Sequence, residues 1–346
     1  MAVGQFREMP SQDAAYSQSQ VSAWLQHIQL PKCYKQYVDS PSAFPKTQES
    51  LTALFRCQIT SFPYENLLIH YSQTRLVSIK PHDLYNKMMG PESNGRGGYC
   101  MELSIFFHHM LRGLGFDVYM TGVRNRDRKD GAPRGEFLGW THINNIVHLP
   151  DGSKFGVDVA FGGDGPTGPL PMNEDEAYIY KNLGSQEVRL VHGLMPKQRL
   201  REPKVWLYQY RNSPDKEWNS FYTFMEIEFF AEDFEVQNWY AGFHTIHRRM
   251  VVGVRFLREG ESIEFPHGGR KHEDETEVHI IGKVMLVNDT IKVNLGGKTQ
   301  VVEQFYTEEE RVKALGHYFG IRLTEEEVNA IKDWDLALGT QSRQML

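Results

Sequence analysis

The stretch that most constrains the fold begins at Gly90. A glycine-rich loop, GPESNGRGGYC, runs to Cys100 and feeds straight into MELSIFFHHMLRGLG. That second segment is apolar nearly all round, so it reads as a helix buried on every side. Gly113 and Gly115 supply its stop signals. A helix of this kind must be wrapped by other elements, and the flanking sequence offers them. Over residues 21–70 apolar side chains recur every three or four positions, punctuated by Pro31, Pro41, Pro45 and Pro63, which predicts helices.

From Phe116 the pattern changes to strands. WTHINNIVHL, the turn PDGS and KFGVDVAF give a β-hairpin signal, and strand-like runs follow at VRLVHGL, KVWLYQY and FYTFMEIEFF. The mixed segment AEDFEVQNWYAGFHTIHRRM leads to further strands at VVGVRFL, EVHIIGKVML and TIKVNL. Helices close the chain, opened by Thr307 with Glu310 and by Thr324 with Glu327 at capping-box spacing. At roughly 150 residues per domain, 346 residues predict two or three domains. The division expected is a polar tail (1–20), a helical part carrying the nucleophile (21–115), a strand-rich part (116–230), a connecting segment (231–250) and a last α/β part (251–346).

The net charge of −6 argues against a general nucleic-acid binder. No run is long and apolar enough for a membrane span, and the N-terminus resembles no signal peptide. Three cysteines make a disulfide scaffold improbable and point to a reduced, cytoplasmic setting.

Cys100 stands where the loop meets the buried helix. Backbone N–H groups and the helix dipole there favour an anion and predict a lowered thiol pKa. Gly97 and Gly98 allow another group to approach the backbone. A nucleophilic thiol needs a base and an orienting carboxylate. His142 lies on one arm of the predicted hairpin and Asp158 on the other, inside an apolar strand where an unpaired carboxylate is costly. Taken singly, each has a plainer reading: a buried cysteine, a core histidine, an edge carboxylate. The order Cys, His, Asp is harder to set aside. A two-residue turn at Asp151-Gly152 would pair His142 with Phe161 and point Asp158 to the opposite face. The triad therefore requires a three-residue loop or a bulge.

These residues resemble the arylamine N-acetyltransferases. Arg-Gly-Gly-Tyr-Cys at 96–100 matches that family's RGGxC. Thr141-His142 and Asp158-Val159-Ala160-Phe161-Gly162-Gly163 resemble its histidine and DVGFG stretches, Phe62-Pro63-Tyr64-Glu65-Asn66-Leu67 its IPFENL, and LGHYFGIRLT its last-helix region. The similarity spans roughly residues 22 to 330. It implies an α+β fold of three domains: an N-terminal helical bundle, a central β-barrel and a C-terminal α/β lid. It also implies that Cys100 accepts an acyl group, that His142 and Asp158 serve it, and that Arg96 pairs with Glu65 to brace the loop. Tyr64 and Phe161 would line the acceptor pocket. Ser104 and Ala160 depart from the family's usual Asn and Gly. The stretch Arg124 to Lys129 is longer than in short members, as in a fungal-type member.

The activity implied is transfer of an acetyl or other short acyl group from acyl-coenzyme A to an arylamine or hydrazine, in ping-pong order, with detoxification of aromatic amines as its expected role. No permanently bound cofactor, metal, nucleic acid or membrane partner is implied. Acetyl is the default donor and malonyl the alternative, since a malonyl carboxylate would need a cation or N–H donors. The segment Gly163-Asp164-Gly165-Pro166-Thr167-Gly168 has GxGxxG spacing, but its prolines open no helix, so a Rossmann site is rejected. Gly162, Gly163 and Gly165 instead become candidates for meeting coenzyme A phosphates through backbone N–H groups. Arg124 to Lys129 reads as a solvated basic loop, His244 and His247 as packing or surface residues, and His267, His272 and His279 as a solvated cluster rather than a metal site. A transglutaminase-like or papain-like thiol hydrolase and a catalytically idle binding scaffold remain as other readings.

Overall fold

The computed structural model describes residues 14–129, 132–175, 177–265, 276–332 and 334–339. Most of the expected polar tail, and His267 and His272 of the histidine cluster, lie outside them; His279 is exposed. The first helix begins earlier than the tail reading allowed. Ser17 caps α1 (Gln18–His27) in a capping box with Gln20, and the buried Tyr16 packs on Phe106 and donates to the Pro81 carbonyl.

Helices α2 (Gln48–Ser61), α3 (Leu67–His70), α4 (Pro81–Met89) and α5 (Cys100–Leu114) complete this part, with the two-residue strand β1 (Tyr64–Glu65) between α2 and α3. As its composition predicts, α5 is buried along almost its whole length and ends at Gly115 in the left-handed region (φ 86°). Gly113 does not stop it. A Cβ there would stand 2.5 Å from Val21 Cγ2, so this glycine lets α1 lie against α5.

Eight strands then form one antiparallel sheet: β2 (Asp117–Lys129), β3 (Ala132–His148), β4 (Lys154–Val157), β5 (Leu170–Pro171), β6 (Tyr180–Lys181), β7 (Glu187–Gly193), β8 (Val205–Arg211) and β9 (Asn219–Phe224). Their order is β5-β4-β3-β2-β9-β8-β7-β6. The sheet curls until Leu170 of β5 shares one core with Val188 and Leu190 of β7, giving a nearly closed, barrel-like form. The basic stretch at 124–129 is not a loop: β2 runs through it. Alternation places Arg124, Arg126 and Arg128 over the rings of Trp140, Phe137 and Phe221. A period of two was present, but the charges hid it.

Helices α6 (Ala231–His244) and α7 (Ile246–Arg249) lead to β10 (Val252–Arg258), β11 (Ile280–Val287), β12 (Thr290–Asn294) and β13 (Gln300–Gln304), followed by α8 (Glu308–Phe319) and α9 (Glu325–Ala330). Both expected capping boxes are present. The second sheet has the order β1-β10-β11-β12-β13, so its first strand comes from the helical part of the chain. Among the described residues no helix is long and apolar enough to cross a membrane.

Candidate active site

The glycine-rich loop is pressed onto the segment before α3. A Cβ on Gly97 would meet the Pro63 carbonyl oxygen at 1.9 Å. The Glu65 N–H donates to the Gly98 carbonyl at 2.9 Å and the Gly98 N–H to that of Pro63 at 3.3 Å. The group that approaches the two glycines is therefore the chain's own Pro63–Glu65 backbone.

A buried charge cluster holds this junction. Arg96 donates through Nε to Glu65 Oε1 (3.0 Å) and through Nη2 to Oε2 (3.3 Å). Its Nη1 reaches Glu327 Oε1 at 2.5 Å. Lys87 bridges Glu65 (3.1 Å) and Glu102 (2.7 Å). Glu65 also accepts the Leu67 N–H, and Glu102 the Tyr99 N–H next to Cys100. Glu65 is fully buried, yet Arg96 and Lys87 hold its carboxyl down at about 2. The pairing of Arg96 with Glu65 matches the sequence expectation. Lys87, Glu102 and Glu327 were missed because no local motif marks them.

Across the β3–β4 hairpin, Asn145 pairs with Val157 and His148 with Lys154. Leu149 closes on Ser153, leaving a three-residue loop with Gly152 at φ +87°. This register turns Asp158 toward the His142 face. His142 Nε2 lies 2.7 Å from Asp158 Oδ2, both side chains being almost wholly buried. Asp158 Oδ1 accepts the Ala160 N–H at 3.1 Å, and the Tyr222 phenol feels the same carboxylate's charge. Phe161 packs on His142 with ring centroids 5.2 Å apart and on Tyr222 at 4.9 Å.

The Cys100 thiol is 2% exposed. The N–H groups of Met101 and of Cys100 itself favour its thiolate, as the helix start predicts, but burial and the nearby Asp158 charge outweigh them and push the thiol pKa up. The expected lowering thus fails here: the helix end acts only locally, whereas desolvation penalises the whole charge. Tyr64 sits half-buried over Gly162, and its phenol feels both Cys100 and Asp158.

His247 is a second surprise. It is neither surface filler nor isolated: its ring stands edge-on to Tyr99 at 5.0 Å, and its Nε2 lies 3.4 Å from the Tyr64 phenol. The carbonyl of His247 accepts from Asn66 Nδ2 (3.0 Å) and pairs with His70 Nε2 (2.8 Å). A polar residue far along the chain, on a four-residue helix, gave no periodic signal. At the glycine loop, the Gly165 N–H is already spent on the Gly162 carbonyl. Positive charge stands there instead: the half-buried Lys283 donates to the Gly163 carbonyl, and Arg128 pairs with Asp164.

The chain resembles known proteins over most of its length. A family model for N-acetyltransferase matches residues 47–250. An N-malonyltransferase of Gibberella moniliformis is 28% identical, over 94% of this chain and 95% of its own length. The arylamine N-acetyltransferase / N-hydroxyarylamine O-acetyltransferase of Salmonella typhimurium is 29% identical over 66% of this chain and 74% of its own. The solved structure of the Salmonella typhimurium arylamine N-acetyltransferase superposes with a TM-score of 0.68 at 22% identity, covering 90% of this chain and 97% of that one. That of Mycobacterium marinum in complex with coenzyme A gives 0.66 at 19%, covering 90% and 98%. The chain belongs to the arylamine N-acetyltransferase family.

Proposed function

We propose that this chain transfers a short acyl group from acyl-coenzyme A to an aromatic amine or hydrazine through a thioester on Cys100. The observation that carries the reading is the buried 2.7 Å contact of His142 with Asp158, whose charge reaches a thiol at the start of a buried helix. Asp158 fixes the imidazole, and His142 is the base the thiol requires. In the first half-reaction the Cys100 sulfur forms a bond to the thioester carbonyl carbon while its proton passes to His142. The carbon–sulfur bond to coenzyme A breaks, and the leaving thiolate takes that proton. In the second, the amine nitrogen attacks the Cys100 thioester, His142 takes the nitrogen's proton, and that proton returns to the departing Cys100 sulfur. One thiol serving two substrates in turn gives ping-pong kinetics. A thiol kept neutral by burial until substrate arrives suits this order, since the thiolate is needed only alongside imidazolium.

Tyr64 and Phe161 would face the acceptor. Lys283 and Arg128, rather than N–H groups of Gly162, Gly163 and Gly165 alone, would meet the coenzyme A phosphates. We infer malonyl as the preferred donor over the acetyl expected by default, because the malonyltransferase relative aligns over nearly its whole length. A cytoplasmic site of action and the division into helical, barrel and lid parts belong to the same proposal.

Intact-protein mass after mixing with acetyl-, propionyl- or malonyl-coenzyme A, without amine, tests it. An acyl adduct lost in Cys100→Ala supports the thioester. No adduct with any donor leaves a thiol hydrolase or an idle scaffold.

A further inference from the structure

The cations around the nucleophile are already engaged. Arg96 and Lys87 are shared among Glu65, Glu102 and Glu327, and Lys283 is docked on the Gly163 carbonyl. His247 differs. It is 7% exposed, and its Nδ1, shut off from solvent, has no hydrogen-bond partner among the described residues. A buried imidazole nitrogen left in this state is costly unless a ligand meets it.

The tautomer follows from its neighbour. The Tyr64 phenol lies 3.4 Å from Nε2; with its O–H donating there, the ring proton of the neutral imidazole sits on Nδ1. The ring is also held in place. Asn66 and His70 clamp its backbone carbonyl, Thr245 accepts its N–H, and the Tyr99 ring meets it in a T-shaped contact. Tyr99 immediately precedes Cys100. An unmet ring nitrogen therefore belongs to a side chain held against Tyr99, the residue before Cys100.

We propose that Nδ1–H of His247 receives the free carboxylate of a dicarboxylic acyl group, malonyl first among them, carried by Cys100. This rests on the acyltransferase reading above. A malonyl thioester places a carboxylate one methylene beyond the reacting carbonyl, and an ionised carboxylate among Tyr64, Tyr99 and Phe161 needs a donor. Acetyl has no group to use it. His247 thereby sets donor choice without taking part in proton transfer at the thiol.

Rates of Cys100 acylation by malonyl- and acetyl-coenzyme A should be compared for the wild type, His247→Phe, His247→Gln and His247→Asn. Phe keeps a ring but no donor, Gln reaches the Nε2 position, and Asn reaches the Nδ1 position. The malonyl-to-acetyl ratio should fall about 10- to 100-fold in Phe and Gln, the scale of a hydrogen bond to a charged group, and recover in part in Asn. An unmoved ratio in Phe, or equal loss with both donors, overturns the assignment. A wild type acylated by acetyl but not malonyl overturns it alone, whereas a wild type acylated by neither removes the acyltransferase reading as well.

Discussion

His142 and Asp158 meet at 2.7 Å because the hairpin between them turns through three residues. A two-residue turn would send the carboxylate to the other side of the sheet. Asp158→Asn keeps the side chain's shape but removes the charge that fixes the imidazole. Cys100 acylation is expected to slow by about 10²- to 10⁴-fold, the range of acid–base assistance, with an unchanged melting profile. Stopped-flow acylation by the preferred donor checks this, and a loss under threefold would detach Asp158 from the chemistry.

Arg96→Ala strands Glu65 in a dry site with Lys87 as its remaining cation. Breaking one partner from a buried ion cluster costs about 3–5 kcal/mol. Arg96→Lys should recover part of this, since an ammonium cannot reproduce the two-point contact. Urea denaturation measures both.

Four histidines are kept neutral by burial. His70 is pulled down to about 4, His108 to about 3, His109 to about 4 and His247 to about 3. Their folded values lie below the unfolded one, so the unfolded chain binds the extra protons as pH falls. Stability is full above pH 6.5 and is lost below it, by about 1.4 kcal/mol per pH unit for each histidine until its folded value is reached. Melting temperature should drop steeply between pH 6.5 and 4. A flat profile there would contradict the buried, neutral state.

Lys283→Met removes the amine docked on the glycine loop. If that amine meets coenzyme A phosphates, KM for acyl-coenzyme A should rise several-fold while the rate at saturating donor holds. The salt dependence of kcat/KM should also flatten. A change in kcat alone would place Lys283 elsewhere.

What the sequence shows and hides follows from distance along the chain. The buried helix, the hairpin arms and both late capping boxes were legible because each is a pattern within about fifteen residues. Helix start, hairpin arms and chain order single out Cys100, His142 and Asp158 as candidates, whereas the pairing of Glu65 with Arg96 is expected only through the family resemblance. The Arg124–Lys129 strand was misread because aromatic rings cover its alternating arginines. Lys87, Glu327, Lys283 and His247 stayed hidden, since each reaches the site only after remote elements pack together. The thiol's raised pKa was hidden for a related reason: the helix start is local, but burial is a property of the whole fold.

The contact of Arg96 with Glu327, and that of the Arg322 N–H with the Asn94 carbonyl, tie the loop before Cys100 to α9 and the turn between α8 and α9, more than 200 residues later. The second sheet likewise takes its edge strand from Tyr64 and Glu65. During synthesis the thiol therefore emerges long before its support does. A chain halted short of α9 would hold Cys100 without a finished brace, so competence for acylation should arrive late and all at once. Ribosome-tethered chains of increasing length would show that threshold near the emergence of Glu327.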